Sequence, residues 1–257
     1  MDAAASLLPR PPQRLVVLAC EVLKLEAETF AKDYPHIVAV EILEMNLHEK
    51  PALLKDTLGK KISEVEARHR PDAVALVYGL CGKGLVGVRA QTCPLVVARA
   101  HDCVTLFLGS KERYLQMQKE QPETYWYTPG WNRTERAPSP EKFARLRREF
   151  TQKFDEEEVE YLLEEEMRAL QTYKAGAYVD LDVGDSKEYE AYAKKCVEWM
   201  GWKFERQTGD RGLLTDLLAG RWDDERFLIV PPGCEIQHSA DAGVMKAVPV
   251  SPSAGSL

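Results

Sequence analysis

The sequence lacks the long hydrophobic run that a membrane helix needs, since no segment approaches about 18 consecutive apolar residues. It is also short of positive charge, because 34 Lys and Arg residues stand against 41 Asp and Glu residues, a formal net charge of −7. Nucleic acids and anionic membrane surfaces are bound through a positive field. We therefore exclude nucleic acid and membrane as principal partners and expect a small-molecule ligand or a partner protein.

Cysteine is sparse as well, with six in 257 residues. Disulfide-stapled secreted domains carry many cysteines in short chains, whereas these six are few and unevenly spaced. We interpret them as reduced thiols of a cytoplasmic protein. The first 14 residues show no cationic start followed by an apolar stretch of signal-peptide length. We predict that residues 1–14 and 239–257 are flexible.

Between these ends, short apolar runs rich in β-branched residues alternate with segments of helical periodicity. A helix is predicted over residues 51–69, with Pro51 in its first turn. Such alternation predicts an α/β fold, with a mostly parallel Rossmann-like sheet and helices on both faces. The buried strands of this sheet are predicted at Leu15–Ala19, Ala73–Tyr78, Leu95–Ala98 and Phe227–Val230.

The stretch 120–174 has a different character, and we predict first an aromatic loop rich in turn residues and then highly charged helix. Ser139 before Pro140 predicts one helix start, and Asp155 with Glu158 predicts another as a capping box. Strands of the same style resume after this stretch. We therefore predict a single α/β domain over residues 15–238 with a helical excursion at about 120–174.

Three cysteines follow predicted strands: Cys20 the first, Cys81 the third and Cys103 the fourth. Ligands of open parallel sheets bind beyond the carboxyl ends of the strands. If the strand order brings the three thiols together, they would bind zinc or an iron–sulfur cluster and leave one coordination position open. Free cysteine also fills cores, and this is our interpretation of Cys93 and Cys196. Cys234 stays open as a fourth ligand.

The residues beside the third thiol carry chemistry of their own. His101 and Asp102 are candidates for proton transfer, because imidazole titrates near neutrality and a carboxylate next to it could orient it. Asp102 is equally well placed to cap the following helix. Arg99, at the end of a buried strand, needs a negative partner, either an acidic side chain or an anionic ligand.

A glycine-rich loop surrounds the second thiol and supplies the candidate ligand-binding residues Gly79, Gly82 and Gly84. Together with Gly87, this loop matches the G-x-G-x-x-G fingerprint of dinucleotide sites. Only about seven residues then remain for a helix, too few for a dinucleotide fold. The loop amides could instead hold a phosphate or a carboxylate. Trp131 is a further ligand-binding candidate, as part of an aromatic lid.

Five motifs in order resemble an uncharacterised bacterial and archaeal family, the domain of unknown function numbered sixteen thirty-eight. The likeness extends from about Leu15 to Gly233. Members are often encoded near corrinoid-dependent methyl-transfer systems, and the likeness supports Cys20, Cys81 and Cys103 as a set. The five motifs are Ala19-Cys20-Glu21, Tyr78-Gly-Leu-Cys-Gly82, Arg99-Ala-His-Asp-Cys103, Leu108-Gly-Ser-Lys-Glu-Arg-Tyr114 and Pro129-Gly-Trp131.

These observations lead to three functional hypotheses. The first is a protein that uses a zinc ion or iron–sulfur cluster on the three thiols, linked to methyl transfer or corrinoid metabolism. The second is a carrier or chaperone that delivers a metal or cofactor to a partner enzyme of the methyltransferase type, docking through the acidic helices of residues 139–174. The third is a metal-free protein that binds a small anion.

Overall fold

The computed structural model describes residues 11–45, 51–134 and 136–250. The predictions for residues 1–10 and 251–257 lie outside this part of the chain. Two compact units share the chain, the first formed by residues up to Arg113 together with those from Asp210 onward, and the second by Tyr114–Gly209. No helix among the described residues is long and apolar enough to cross a membrane.

The strands and helices are numbered in chain order. The strands are β1 Leu15–Cys20, β2 Ile37–Leu43, β3 Ala73–Val77, β4 Leu95–Ala98, β5 Thr124–Tyr127, β6 Ala175–Asp180, β7 Lys203–Thr208, β8 Phe227–Val230, β9 Cys234–His238 and β10 Met245–Pro249. The helices are α1 Lys24–Phe30, α2 Pro51–His69, α3 Cys103–Leu108, α4 Lys111–Glu120, α5 Pro129–Arg133, α6 Pro140–Thr151, α7 Glu156–Arg168, α8 Ser186–Trp199 and α9 Gly212–Ala219.

A five-stranded sheet in the order β2-β1-β3-β4-β8 forms the centre of the first unit. The first four strands are parallel and β8 is antiparallel to β4. Every residue of β1, β3 and β4 is buried, as expected of apolar strands covered on both faces. The α/β class with a mostly parallel sheet is confirmed.

The strand order places a topological switch point between β1 and β3. After β1 the chain forms β2 on one side of that strand. It then crosses back and forms β3 and β4 on the other side of β1. In such sheets the connections leave the carboxyl ends of the two central strands in opposite directions and open a crevice there, where ligands bind. Sequence alone did not supply this order.

The connection from β3 to β4 contains turns and a short extended segment instead of a helix. Ala90 N donates to Cys234 O at 3.0 Å, and Ile236 N donates to Val88 O at 2.9 Å, so this segment pairs with β9. The G-x-G-x-x-G match therefore precedes no helix that could receive a phosphate at its amino end.

Part of the tail that we predicted to be flexible is a hairpin. Strands β9 and β10 pair in antiparallel register, with Ala247 opposite Ile236. Val244 and Met245 are buried, so this segment has an apolar anchor that the prediction overlooked. At the other end, the amides of Gln13 and Arg14 donate to Asp72.

The second unit has a sheet of its own, in which β5, β6 and β7 are all parallel. We predicted that the strands now numbered β6 and β7 would continue the main sheet and that the aromatic stretch holding β5 would be loop. The structure differs on both points. A core with Tyr127, Tyr178 and Cys196 explains why these aromatic residues form strands, because their rings pack between the sheet and α8.

The two charged helices of this unit begin where we predicted. Ser139 accepts a hydrogen bond from Lys142 N at the start of α6. Asp155 and Glu158 form the capping box of α7. Cap residues satisfy the first amides of a helix, and for this reason helix starts were readable from the sequence.

Candidate functional site

Three thiols lie beyond the carboxyl ends of three neighbouring strands of the main sheet. Cys20 ends β1, Cys81 lies in the turn after β3, and Cys103 begins the helix after β4. Because β1, β3 and β4 are adjacent and parallel, all three cysteines reach the same edge, beside the switch point. The sequence-predicted set is thus collected at one end of one sheet.

The loops that carry the second and third thiols lie against each other. Leu80 N donates to Ala100 O at 2.8 Å, and Cys81 N donates to His101 O at 2.9 Å. A Cβ atom on Gly79 would come within 2.4 Å of the backbone of Asp102. Glycine at position 79 is therefore required for the close approach of the two loops.

The turn around the second thiol has an unusual backbone. Cys81, Gly82 and Lys83 have φ angles of 44°, 62° and 74°, three successive residues in the left-handed region. Non-glycine residues adopt that region at a cost of about 1 kcal/mol or more each. Space beside Gly82 is open, whereas a Cβ on Gly84 would come within 2.8 Å of Leu54 on α2. Gly79 thus allows the two loops to approach, Gly82 allows a positive φ angle, and Gly84 allows close contact with α2.

Cys20 is buried, Cys81 and Cys103 are half-buried, and the thiols influence one another. Burial raises the pKa of Cys20 to about 11 and that of Cys81 to about 12. Burial likewise raises the pKa of Cys103 well above its ordinary value, and the Cys81 and Cys20 thiols add to the rise. Charge effects of this kind act over several ångströms, so the three thiols share one region at the edge of the sheet.

Backbone N–H groups surround these sulfur atoms. The amide of Val22 lowers the pKa of Cys20, and the amides of Gly79 and Cys103 lower the pKa of Cys81, against the larger effect of burial. N–H groups directed at sulfur are characteristic of sites that hold a thiolate, and they tune iron–sulfur clusters. Burial outweighs these amides, so the pKa values of Cys20 and Cys81 stay raised.

The donor types fit a soft metal, but the side chains are not arranged as a complete ligand set. Among the described residues, no three His, Cys, Asp or Glu side chains stand in positions that could hold a metal ion. A tetrahedral thiolate site needs metal–sulfur distances near 2.3 Å. Metal binding here would thus require rotation of cysteine side chains.

His101 and Asp102 directly precede the third thiol, in the loop that pairs with Cys81. Asp102 caps α3, because its Oδ1 accepts hydrogen bonds from Val104 N at 3.0 Å and Thr105 N at 3.3 Å. Its charge also raises the pKa of Cys81 and Cys103. The capping interpretation of Asp102 is therefore confirmed, while its proposed role in proton transfer with His101 stays a prediction.

Arg99 is committed to main-chain partners. Its Nε donates to the carbonyls of Asp224 and Phe227, and its Nη1 donates to those of Gly243 and Met245, at distances from 2.6 to 3.1 Å. Burial lowers the pKa of this guanidinium, although Asp224 and Asp241 oppose the shift. Arg99 thus ties the end of β4 to the hairpin, a role that we did not predict.

The remaining candidates lie elsewhere. Trp131 belongs to the second unit, in α5, where it packs partly buried against the core of that unit. Cys93 is buried and its thiol donates to Glu66 at 3.4 Å, and Cys196 is buried in the second unit, so both are core residues as predicted. Cys234 starts β9 and is half-buried.

Tyr78, the residue directly after β3, was not on our list of site residues. Its side chain is 2% exposed, and its hydroxyl has no hydrogen-bond partner in the described part of the chain. The sequence does contain a sign of it, because the Tyr78 hydroxyl is the one polar side-chain group in the run Ala73–Tyr78.

Comparison with known proteins gives one match. The sequence model of a family described as "Protein of unknown function (DUF1638)" matches residues 42–218, more than half of the chain. The matched range contains Cys81 and Cys103 and excludes Cys20. No curated protein and no solved structure matches the chain significantly.

Proposed function

The chain belongs to the DUF1638 family, and we propose that Cys20, Cys81 and Cys103 together hold a soft metal centre, either a zinc ion or an iron–sulfur cluster. One observation carries the proposal: the three cysteines follow three adjacent parallel strands and so lie at the same edge of the sheet, the edge where ligands of such sheets bind. The resemblance to this family implies genes encoded near corrinoid-dependent methyl-transfer systems, and this context suggests that the centre serves group transfer.

The protonation of the thiols favours a metal over direct nucleophilic catalysis. A cysteine nucleophile needs a lowered pKa, whereas Cys20 and Cys81 have a raised one. A bound cation is the partner that would turn all three into thiolates, with release of their protons. The amides around the sulfur atoms would then stabilise the negative charge.

A metal centre with three protein ligands would supply Lewis acidity at an open coordination position, where a thiol, a water or a methyl carrier could be activated. The chain itself would hold the centre at the sheet edge and limit access of water. In this proposal His101 would carry a proton between the bound group and solvent.

The test is anaerobic purification followed by elemental analysis and a visible absorption spectrum. We expect about one zinc per chain and no colour, or iron with acid-labile sulfide and a brown protein. Replacement of Cys81 by Ser should remove most of the metal. Cys196→Ser, at a buried thiol of the second unit, is the control and should keep it. A metal-free wild type under these conditions would contradict the proposal.

The site geometry gives a second check. Because the described side-chain positions form no complete ligand set, metal binding should draw the sulfur atoms together. X-ray absorption of the zinc-loaded protein should show about three sulfur ligands near 2.3 Å. A first shell of only oxygen and nitrogen would exclude the three-thiol site.

The alternatives have less support. In the carrier hypothesis the acidic helices dock on a methyltransferase-type enzyme, but Arg147 already pairs with Glu156 and Glu160 within this face. In the metal-free hypothesis Arg99 binds an anion, yet its Nε and Nη1 donate to main-chain carbonyls. Unchanged anion affinity after Cys20→Ala and Cys103→Ala would favour the metal-free hypothesis.

A further inference from the structure

A buried hydroxyl without a hydrogen-bond partner among the described residues belongs to the residue that follows β3, at the sheet edge of the thiols. Tyr78 directly follows β3, and Ala19 pairs with Val77 in the parallel register of β1 and β3. Continued by one residue, this register would bring Cys20 and Tyr78 side by side, and lateral neighbours in parallel strands direct their side chains to the same face. Tyr78 therefore belongs to the same edge of the sheet as the thiols.

An orphaned hydroxyl at this place requires an explanation. Buried polar atoms are nearly always hydrogen-bonded, and leaving one unpaired costs about 1–3 kcal/mol. The Tyr78 oxygen is buried and has no partner among the described residues. Phenylalanine would fill the same space without that cost, so a packing role alone does not account for the hydroxyl.

The Tyr78 hydroxyl is available as a hydrogen-bond donor, because a phenol is protonated at neutral pH, its ordinary pKa being about 10. Neutral thiols are weak acceptors, whereas thiolates are strong ones, because hydrogen bonds to ionised groups are about twice as strong as neutral ones.

We propose that Tyr78 is a positioning residue that donates its hydroxyl hydrogen bond to a Cys20 or Cys81 thiolate when the three-thiol site holds a metal. This inference rests on the proposed function and names a contact that the metal-free site does not make. Partners outside the ligand shell orient the ligands, and their loss commonly lowers metal affinity by about 10- to 100-fold. Tyr78 acts on the metal only through a cysteine sulfur.

The experiment measures zinc affinity of the reduced full-length protein by anaerobic competition with a chromophoric chelator. Tyr78→Phe should weaken zinc binding by about 10-fold or more, with the stoichiometry unchanged. Tyr178→Phe is the matched control, because Tyr178 also has a buried hydroxyl without a partner in the described residues, in the second unit. Its zinc affinity should equal that of the wild type.

Thermal unfolding of the metal-free proteins separates this role from a structural one. Removal of an unpaired buried hydroxyl should leave the melting temperature unchanged or raise it, so Tyr78→Phe should combine normal metal-free stability with weaker zinc binding. Equal zinc affinities of wild type and Tyr78→Phe would overturn the inference while leaving the three-thiol site intact. Failure of the wild type to bind zinc would overturn the proposed function itself.

Discussion

Asp102 shows how one residue can serve structure and electrostatics together. Its carboxylate caps α3 and raises the pKa of Cys81 and Cys103. We predict that Asp102→Ala lowers the free energy of unfolding by about 1 kcal/mol, the usual effect of a lost N-cap. Asp102→Asn keeps the cap and should change the free energy of unfolding by only a few tenths of a kcal/mol. Chemical denaturation measures the free energy of unfolding of both variants, and equal losses in the two would argue against the cap.

Two glycines of the thiol loop should differ in tolerance. Gly79→Ala places a Cβ 2.4 Å from the Asp102 backbone, and we predict a loss of about 3 kcal/mol in the free energy of unfolding. Gly82→Ala meets open space but retains a φ of 62°, which predicts a loss of about 1 kcal/mol. Denaturant titration of the pair tests this order, and a reversed order would contradict the close approach of the two loops.

The raised thiol pKa values predict a pH dependence of stability. A group whose pKa is higher in the folded state than its ordinary value, about 9 for these thiols, stabilises the fold fully below that value. Its contribution disappears as the pH rises through the folded-state pKa. For Cys20, the free energy of unfolding should fall by about 1.4 kcal/mol per pH unit between pH 9 and 11.

Urea denaturation of the metal-free protein at several pH values measures this slope. Cys20→Ala is the comparison variant, because it lacks the titrating thiol and should show a shallower decline over the same range. Identical slopes in the two proteins would indicate that Cys20 titrates normally in the folded state.

At this scale the sequence placed Cys20, Cys81 and Cys103 at strand ends, and the structure shows that these ends share one sheet edge, whereas the buried hydroxyl of Tyr78 and the partners of Arg99 were not predicted. The cysteines were recognisable because strand ends in an α/β fold lie at one edge and cysteine chemistry is specific. The four carbonyls that Arg99 contacts belong to residues more than 120 positions later in the chain. A local sequence pattern does not predict a contact between residues so far apart in the chain.

Among the elements, the β9–β10 hairpin depends on Arg99. Arg99→Met keeps the aliphatic stem but removes donors from four main-chain carbonyls. We predict a loss of about 3 kcal/mol in the free energy of unfolding and faster hydrogen exchange at the amides of β10. Arg89→Met is the control, because Arg89 forms an exposed pair with Glu235 that should contribute less than about 1 kcal/mol. Slow exchange throughout β10 in Arg99→Met would exclude the anchoring role.

The reliability of element prediction followed the strength of the local signal. The Pro51–His69 helix and the capped starts of α6 and α7 were predictable because caps and apolar periodicity act within a few residues. Strand β5 was missed because its aromatic residues precede a Pro-Gly pair that suggested a loop. Its place in a sheet depends on β6, whose paired residues lie about 50 positions later.

For the whole molecule, the arrangement of the chain allows the thiol site to be tested without the second unit. Within the first unit, Asp210 N donates to Phe107 O at 2.9 Å, and a Cβ on Gly109 would come within 2.6 Å of the Asp210 side chain. The chain therefore leaves and re-enters this unit at neighbouring points. A short Gly/Ser linker can replace Tyr114–Gly209 without stretching the ends.

We predict that this shortened protein binds zinc within about threefold of the full chain, because Cys20, Cys81 and Cys103 all belong to the first unit. The separate segment Tyr114–Gly209, which has its own sheet and core, should bind none. Competition titration and circular dichroism measure metal affinity and folding in the same samples. A folded shortened protein that no longer binds zinc would show that the second unit supplies part of the site, and Trp131, the site residue predicted there, would be the first residue to replace in the full chain.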